Sequence, residues 1–196
     1  ARLPPRPSGR GFTRIFLLIG FDGPEGRTFF ENAGRTSRDG IELGIDWSFA
    51  LDWRLTSALT LADYRFERFA DEEDDFAGNR LPGLPRQLWH NSLTWYGSGE
   101  RFASVEAQYT GDFYADNANQ VPIDDHWLVN LKGGDAWPLG GGATLLGVHL
   151  GIRNLFDEAY FENVRINANP DRPISERGFY EPAAGRTFYA GVELSF

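Results

Sequence analysis

Apolar and polar side chains take turns along most of this chain. Between residues 185 and 196, Phe188, Ala190, Val192, Leu194 and Phe196 fall on one side, and Thr187, Tyr189, Gly191, Glu193 and Ser195 fall on the other. A repeat of two marks a strand, whose successive side chains leave on opposite faces. The same alternation sets Ile41, Leu43, Ile45, Trp47 and Phe49 against Glu42, Gly44, Asp46 and Ser48. It recurs along the chain and predicts strands over 28–51, 53 to about 69, 87–96, 101–113, 125–137, 143–156 and the terminal stretch. An eighth strand is expected within 12–21, which is apolar but alternates poorly, and residues 1–11, rich in Pro, Arg and Gly, read as an irregular lead-in.

The connections carry a second pattern. Short turns near 52, 98 and 140 alternate with longer loops around 22–35, 70–85, 115–122 and 157–184. Transmembrane β-barrels have this asymmetry, with short periplasmic turns and long extracellular loops. The expected fold is therefore all-β, an antiparallel up-and-down transmembrane barrel wall. Its apolar rows would meet hydrocarbon, and its polar rows would face a watery lumen. Those polar rows hold Glu42, Asp46, Arg54, Glu106, Gln108, Lys132, His149, Arg153 and Glu193, which a dry eight-stranded interior could not easily bury unpaired. The six tryptophans, 47, 53, 89, 95, 127 and 137, are expected near strand ends beside the short turns as an interfacial belt. In a soluble sandwich they would instead pack a core.

Composition narrows the classes. The longest apolar run, 15–19, is far short of the ~20 residues a spanning helix needs, and mean hydropathy is −0.40. Aromatics at 15% and 23 glycines suit a barrel's girdles and turns. A formal charge of −9 argues against nucleic acid as a partner. The absence of cysteine excludes disulfides and thiolate chemistry. The acidic run Asp71–Asp75 is either a focus for cations or ligand at a receptor mouth or a solvated loop tip, and it lacks calcium-loop spacing. His90, His126 and His149 fall in different strands without ligand spacing, so no metal site is expected. No nucleophile elbow, paired acids or phosphate cradle suggests catalytic residues, an enzyme or a cofactor. The chain starts at Ala1 without a visible secretion signal, which an exported protein would have lost.

Four stretches, in order, resemble the C-terminal barrel region of TonB-dependent outer-membrane receptors. They are Asn32-Ala33-Gly34-Arg35 with Gly40-Ile41-Glu42-Leu43; Gly78-Asn79-Arg80-Leu81-Pro82-Gly83-Leu84-Pro85-Arg86; Arg153-Asn154-Leu155-Phe156-Asp157 with Tyr160; and Gly185-Arg186-Thr187-Phe188-Tyr189-Ala190-Gly191 closing on Phe196. The last two are the specific ones, and the resemblance covers roughly 32–196, with 1–11 departing from it.

The resemblance implies a barrel of about 22 strands, of which residues 12–196 would be the last eight or so, the plug domain lying outside this chain. It implies active uptake of a scarce ligand, such as an iron–siderophore complex, a vitamin or a saccharide, across the outer membrane of a Gram-negative bacterium. Energy would come from TonB through the plug. Outer-membrane lipid and lipopolysaccharide, the barrel-assembly machinery and a small-molecule ligand are the expected partners, with Phe196 as an assembly signal. Arg65, Arg80, Arg165, Arg172 and Arg177, on or near the long loops, are the candidate contacts for an anionic ligand. Two other classes stay open: a complete eight-stranded barrel acting as adhesin or anchor, and a soluble antiparallel β module of binding or lectin-like hydrolase type.

Overall fold

The computed structural model describes residues 14–20, 35–70, 74–140, 144–168 and 172–196, the first of these by its backbone alone. The lead-in 1–11, the turn cluster 22–26, the Asn32-Ala33-Gly34 motif and acidic positions 71–73 lie outside the described residues. The strands are β1 (Arg14–Gly20), β2 (Thr36–Ala50), β3 (Trp53–Phe66), β4 (Gln87–Tyr96), β5 (Phe102–Thr110), the short β6 (Phe113–Tyr114) and β7 (Pro122–Ile123), β8 (His126–Leu139), β9 (Thr144–Arg153), the short β10 (Phe161–Val164) and β11 (Tyr180–Pro182), and β12 (Thr187–Ser195).

Eight of these form one sheet in the order β1-β2-β3-β4-β5-β8-β9-β12, every pair antiparallel. The sheet is an up-and-down meander, as the alternation predicts. Its outermost strands, β1 and β12, do not pair with each other, so among the described residues it is a wall with two open edges. Open edges are what a segment of a larger barrel presents to neighbouring strands. Among the described residues no helix is long and apolar enough to cross a membrane.

The register fixes which side chains share a face. One unbroken row of directly opposed partners runs Trp47, Leu55, Leu93, Val105, Leu131, Ile152, Phe188. The adjacent row runs Arg54, Thr94, Ser104, Lys132, Gly151, Tyr189. Phe188 and Val192 are each 70% exposed and Leu150 is 61% exposed, so the apolar face covers no protein core. The polar face instead carries the crowded side chains of the sheet, Thr94, Tyr96 and Phe102, which are buried. Crowding on that face marks it as the concave side, and all nine charged or polar residues expected in a lumen fall on it.

The apolar face has a polar interruption among its leucines. Ser57 and Asn91 stand opposite each other between leucine rows. The Ser57 hydroxyl donates to Asn91 Oδ1 at 2.8 Å and accepts from the Trp89 indole N–H at 3.0 Å. Mutual pairing lowers the cost of placing these groups toward hydrocarbon.

Several boundaries differ from expectation. β3 ends at Phe66, not near 69, because the chain folds back there: Phe66 and Phe69 stack at 4.8 Å, Phe69 meets Phe76 at 5.4 Å, and Gly78 N–H donates to the Phe66 carbonyl. β8 runs through Pro138, which opposes Leu145, so the turn is shorter than 138–142. Proline is tolerated at these last rungs because little ladder remains for its missing N–H to interrupt. The tryptophans form two groups, not one. Trp47, Trp53, Trp95 and Trp137 lie toward the short turns, whereas Trp89 and Trp127 lie toward the long loops, 5.7 Å apart, with Tyr109 5.0 Å from Trp127. Aromatic groups at both ends of an apolar band are the two girdles of a membrane barrel.

Candidate functional site

The long loops at one end of the wall fold onto one another. Arg80, in the β3–β4 loop, donates from Nη1 to Asp112 Oδ2 and from Nη2 to the Asp112 carbonyl, both at 2.7 Å. Its guanidinium lies 5.2 Å from the centre of the Tyr114 ring. Its backbone N–H donates to Asn119 Oδ1, while Asn119 Nδ2 donates back to the Arg80 carbonyl. Asn79 Nδ2 donates to the Asn117 carbonyl, and Gly83 N–H to the Tyr114 carbonyl. The β9–β12 loop joins through Asn167, whose Oδ1 accepts from Asn117 N–H and whose own N–H donates to the Ala115 carbonyl. Beneath these bonds, Phe179 packs with Ala115, Val121 and Ile123 in a small apolar core.

Two of the four motif stretches build the cap and the strand junction beneath it. Gly78 and Gly83 hold φ of +86° and +75°, a region that only glycine enters without strain, which explains their place around Arg80. In Asn-Leu-Phe-Asp, Asn154 and Asp157 sit at φ +52° and +59°, which Asn and Asp tolerate better than other side chains. Asn154 Oδ1 accepts from Glu158 N–H and its Nδ2 donates to the Glu158 carbonyl. Asp157 Oδ1 then accepts from Arg186 N–H at 2.7 Å, fastening the entry to the terminal strand. The motif is a clamp between the end of β9 and the start of β12.

Of the candidate ligand contacts, Arg80 has a side chain only 11% exposed and is engaged in the cap. Arg65 donates to Asp63 Oδ2 at 2.9 Å and to the Gly78 carbonyl at 3.0 Å. Arg165 is mostly exposed and reaches Glu181 Oε1 at 3.2 Å. Arg177 donates from Nε to the Arg172 carbonyl at 2.7 Å, across the 3-10 turn Ile174–Glu176. Arg165, Arg172 and Arg177 thus belong to one loop, while Arg65, at the end of β3, bridges to Arg80 in another. Close by, the rings of Phe161 and Tyr180 stack at 4.4 Å and are exposed. Phe196 is 96% exposed. Among the described residues no three His, Cys, Asp or Glu side chains are grouped as a metal site requires.

The concave face below the cap is polar and partly smoothed by glycine. Arg54 makes a bidentate pair with Asp46, Nε to Oδ1 at 2.9 Å and Nη2 to Oδ2 at 2.6 Å. The Tyr189 ring lies over Gly151 and the His149 ring over Gly191, each occupying the space a Cβ would take. Arg153 sits 5.4 Å from the Tyr189 ring centre.

What the residues missed at the level of sequence were the partners of Arg80 and the Phe179 core. Asn119 and Asn167, both at positive φ, are the available signal, since asparagine in irregular sequence is a turn former that can also bond a neighbouring loop.

An amphipathic antiparallel wall with two aromatic girdles, short turns at one end and interlocked loops at the other defines a membrane β-barrel protein. Residues 5–155 match the family described as TonB dependent receptor-like, beta-barrel, and the chain belongs to that family. The matched range begins inside the segment read as a lead-in. The chain is 27% identical over 146 residues to the pesticin receptor of Yersinia enterocolitica, covering 71% of this chain and 20% of that protein. It is 23% identical over 142 residues to the probable TonB-dependent siderophore receptor PiuA of Acinetobacter baumannii, covering 68% and 18%. Among solved structures, BauA, the ferric preacinetobactin receptor of Acinetobacter baumannii, superposes with a TM-score of 0.64 at 16% identity, covering 94% of this chain and 26% of that one. The ferric yersiniabactin uptake receptor FyuA of Yersinia pestis gives 0.60 at 21% identity, covering 83% and 23%. The chain therefore spans about a fifth of the length of the curated relatives it matches.

Proposed function

We propose that this chain is the C-terminal wall and part of the ligand vestibule of an outer-membrane receptor that takes up an iron–siderophore complex. The observation that carries the reading is the joining of a two-girdled amphipathic wall to three long loops locked together at one end. Relatives named as siderophore receptors favour an iron chelate over a vitamin or saccharide. The remaining strands of a barrel of about 22, and a plug that receives energy from TonB, lie outside these residues. Phe196 serves barrel assembly as a terminal signal. Lipopolysaccharide and phospholipid surround the apolar face in the outer membrane of a Gram-negative cell.

On this reading Arg165, Arg172 and Arg177 meet the anionic ligand, while Arg65 and Arg80 shape the floor beneath it. Binding of an iron(III) catecholate chelate and an iron(III) hydroxamate chelate to the full receptor tests this by fluorescence titration. Reversing the three loop charges, R165E with R172E and R177E, is expected to weaken binding of the recognised chelate about tenfold or more, the scale of one lost charge-assisted contact. Unchanged affinity for both chelates removes the vestibule assignment.

A further inference from the structure

The apolar face is not uniform. Its side chains shrink along the row Trp95, Ala103, Gly133, Leu150, Ala190, where an alanine, a glycine and another alanine interrupt larger residues. The result is a groove of about 890 Å³, with Ala103 and Gly133 in its floor and Trp53, Trp95, Leu150 and Phe188 in its walls. It starts at the tryptophans of the short-turn girdle and crosses the strands obliquely into the apolar band. A shallow groove in a membrane-facing wall fills with hydrocarbon, because no water is there to fill it.

What identifies the occupant is the charged pair at its mouth. Arg101 and Asp135 lie one alternation step below Ala103 and Gly133, which puts them on the apolar face at the short-turn end. Arg101 Nε donates to Asp135 Oδ2 at 2.9 Å, and Nη2 lies 2.9 Å from the same oxygen. Asp135 Oδ1 accepts from Ala136 N–H. The Arg101 side chain is 55% exposed, so its outer N–H groups face the headgroup layer. Glu100, its neighbour in the chain, lines the opposite, polar face beside His149 and Glu193, so the outward pair is one guanidinium against one carboxylate. A guanidinium beside a carboxylate offers one place to a phosphate and one to an ammonium, which suits a headgroup bearing both and leaves the carboxylate unmatched by a phosphatidylglycerol headgroup.

We propose that the groove binds one acyl chain of a zwitterionic glycerophospholipid of the short-turn leaflet, its phosphate on Arg101 and its ammonium toward Asp135. The proposal rests on the membrane reading of the apolar face. It assigns a function to an outward ion pair whose cost in a lipid-facing position is otherwise unexplained.

The test is native mass spectrometry of the full receptor, released in mild detergent from vesicles of equal phosphatidylethanolamine and phosphatidylglycerol. The wild type is expected to retain one phosphatidylethanolamine. Filling the floor with A103L is expected to reduce retention about fivefold, the scale of one or two lost methylene contacts. R101Q is expected to abolish the preference between the two lipids. A107L enlarges another outward alanine, outside the groove, and should leave retention unchanged. Equal retention by wild type and A103L, preference for phosphatidylglycerol, or a second copy of the receptor in place of lipid would each overturn the proposal. A nitroxide at residue 192 separates the two levels. If it reports water, the membrane reading fails; if it reports lipid while retention is absent, only the groove fails.

Discussion

Arg80 shows how one side chain can hold a loop cap together. Its guanidinium binds Asp112 and Tyr114 while its backbone pairs with Asn119, so replacing it with alanine removes the first two ties and loosens the β3–β4 loop against the β5–β8 loop. The Asp112 side chain is 62% exposed, which screens the pair, and a cost of about 1–2 kcal/mol is expected. Hydrogen-exchange mass spectrometry should find the Gly83 and Asn119 amides of R80A exchanging about tenfold faster, with strand amides unchanged. Unaltered cap exchange would show that Arg80 is not a tie. On the concave face, Gly151→Ala must push the Tyr189 ring away and with it the contact to Arg153. A loss of about 0.5–1 kcal/mol is expected in thermal unfolding, and restoring room with Y189A in the same chain should recover part of it. None of these pairings was legible in the sequence. Arg80 and Asp112 are 32 residues apart, and nothing in a local pattern says which arginine among several meets which acid.

At the scale of elements, legibility was high where each strand has one wet and one greasy face. β4 falls on the predicted residues 87–96, and the row of opposed leucines and valines follows from period two alone. Strand ends were less legible because tertiary contacts set them, as the Phe66, Phe69 and Phe76 stack does for β3. The girdle toward the long loops was legible as well, since Trp89 and Trp127 are each the third residue of a predicted strand that follows a long loop. Face identity makes a sharp contrast testable. Leu131→Arg puts a charge on the apolar face near mid-strand and should destabilise folding into bilayers by about 2–4 kcal/mol. Gln108→Arg puts the same charge on the concave face and should cost under about 1 kcal/mol. Heat-dependent gel mobility of the full receptor, refolded in vesicles, measures both, and equal penalties would argue against two distinct faces.

The whole molecule combines a low-energy exterior, a polar interior wall and a cross-linked set of loops, and each needs the others. Without lipid, the exposed Phe188, Val192 and Leu194 would drive aggregation. Without further strands, β1 and β12 would offer open edges. The most direct measurement uses the absence of cysteine in the chain. Single cysteines at 190, 191, 192, 193 and 194 of the full receptor, spin-labelled in bilayers, are read for collision with oxygen, which prefers lipid, and with a water-soluble nickel chelate. Labels at 190, 192 and 194 should favour oxygen and those at 191 and 193 nickel, alternating residue by residue. Nickel access at 192, or the opposite alternation, would contradict a wall whose apolar face meets the membrane.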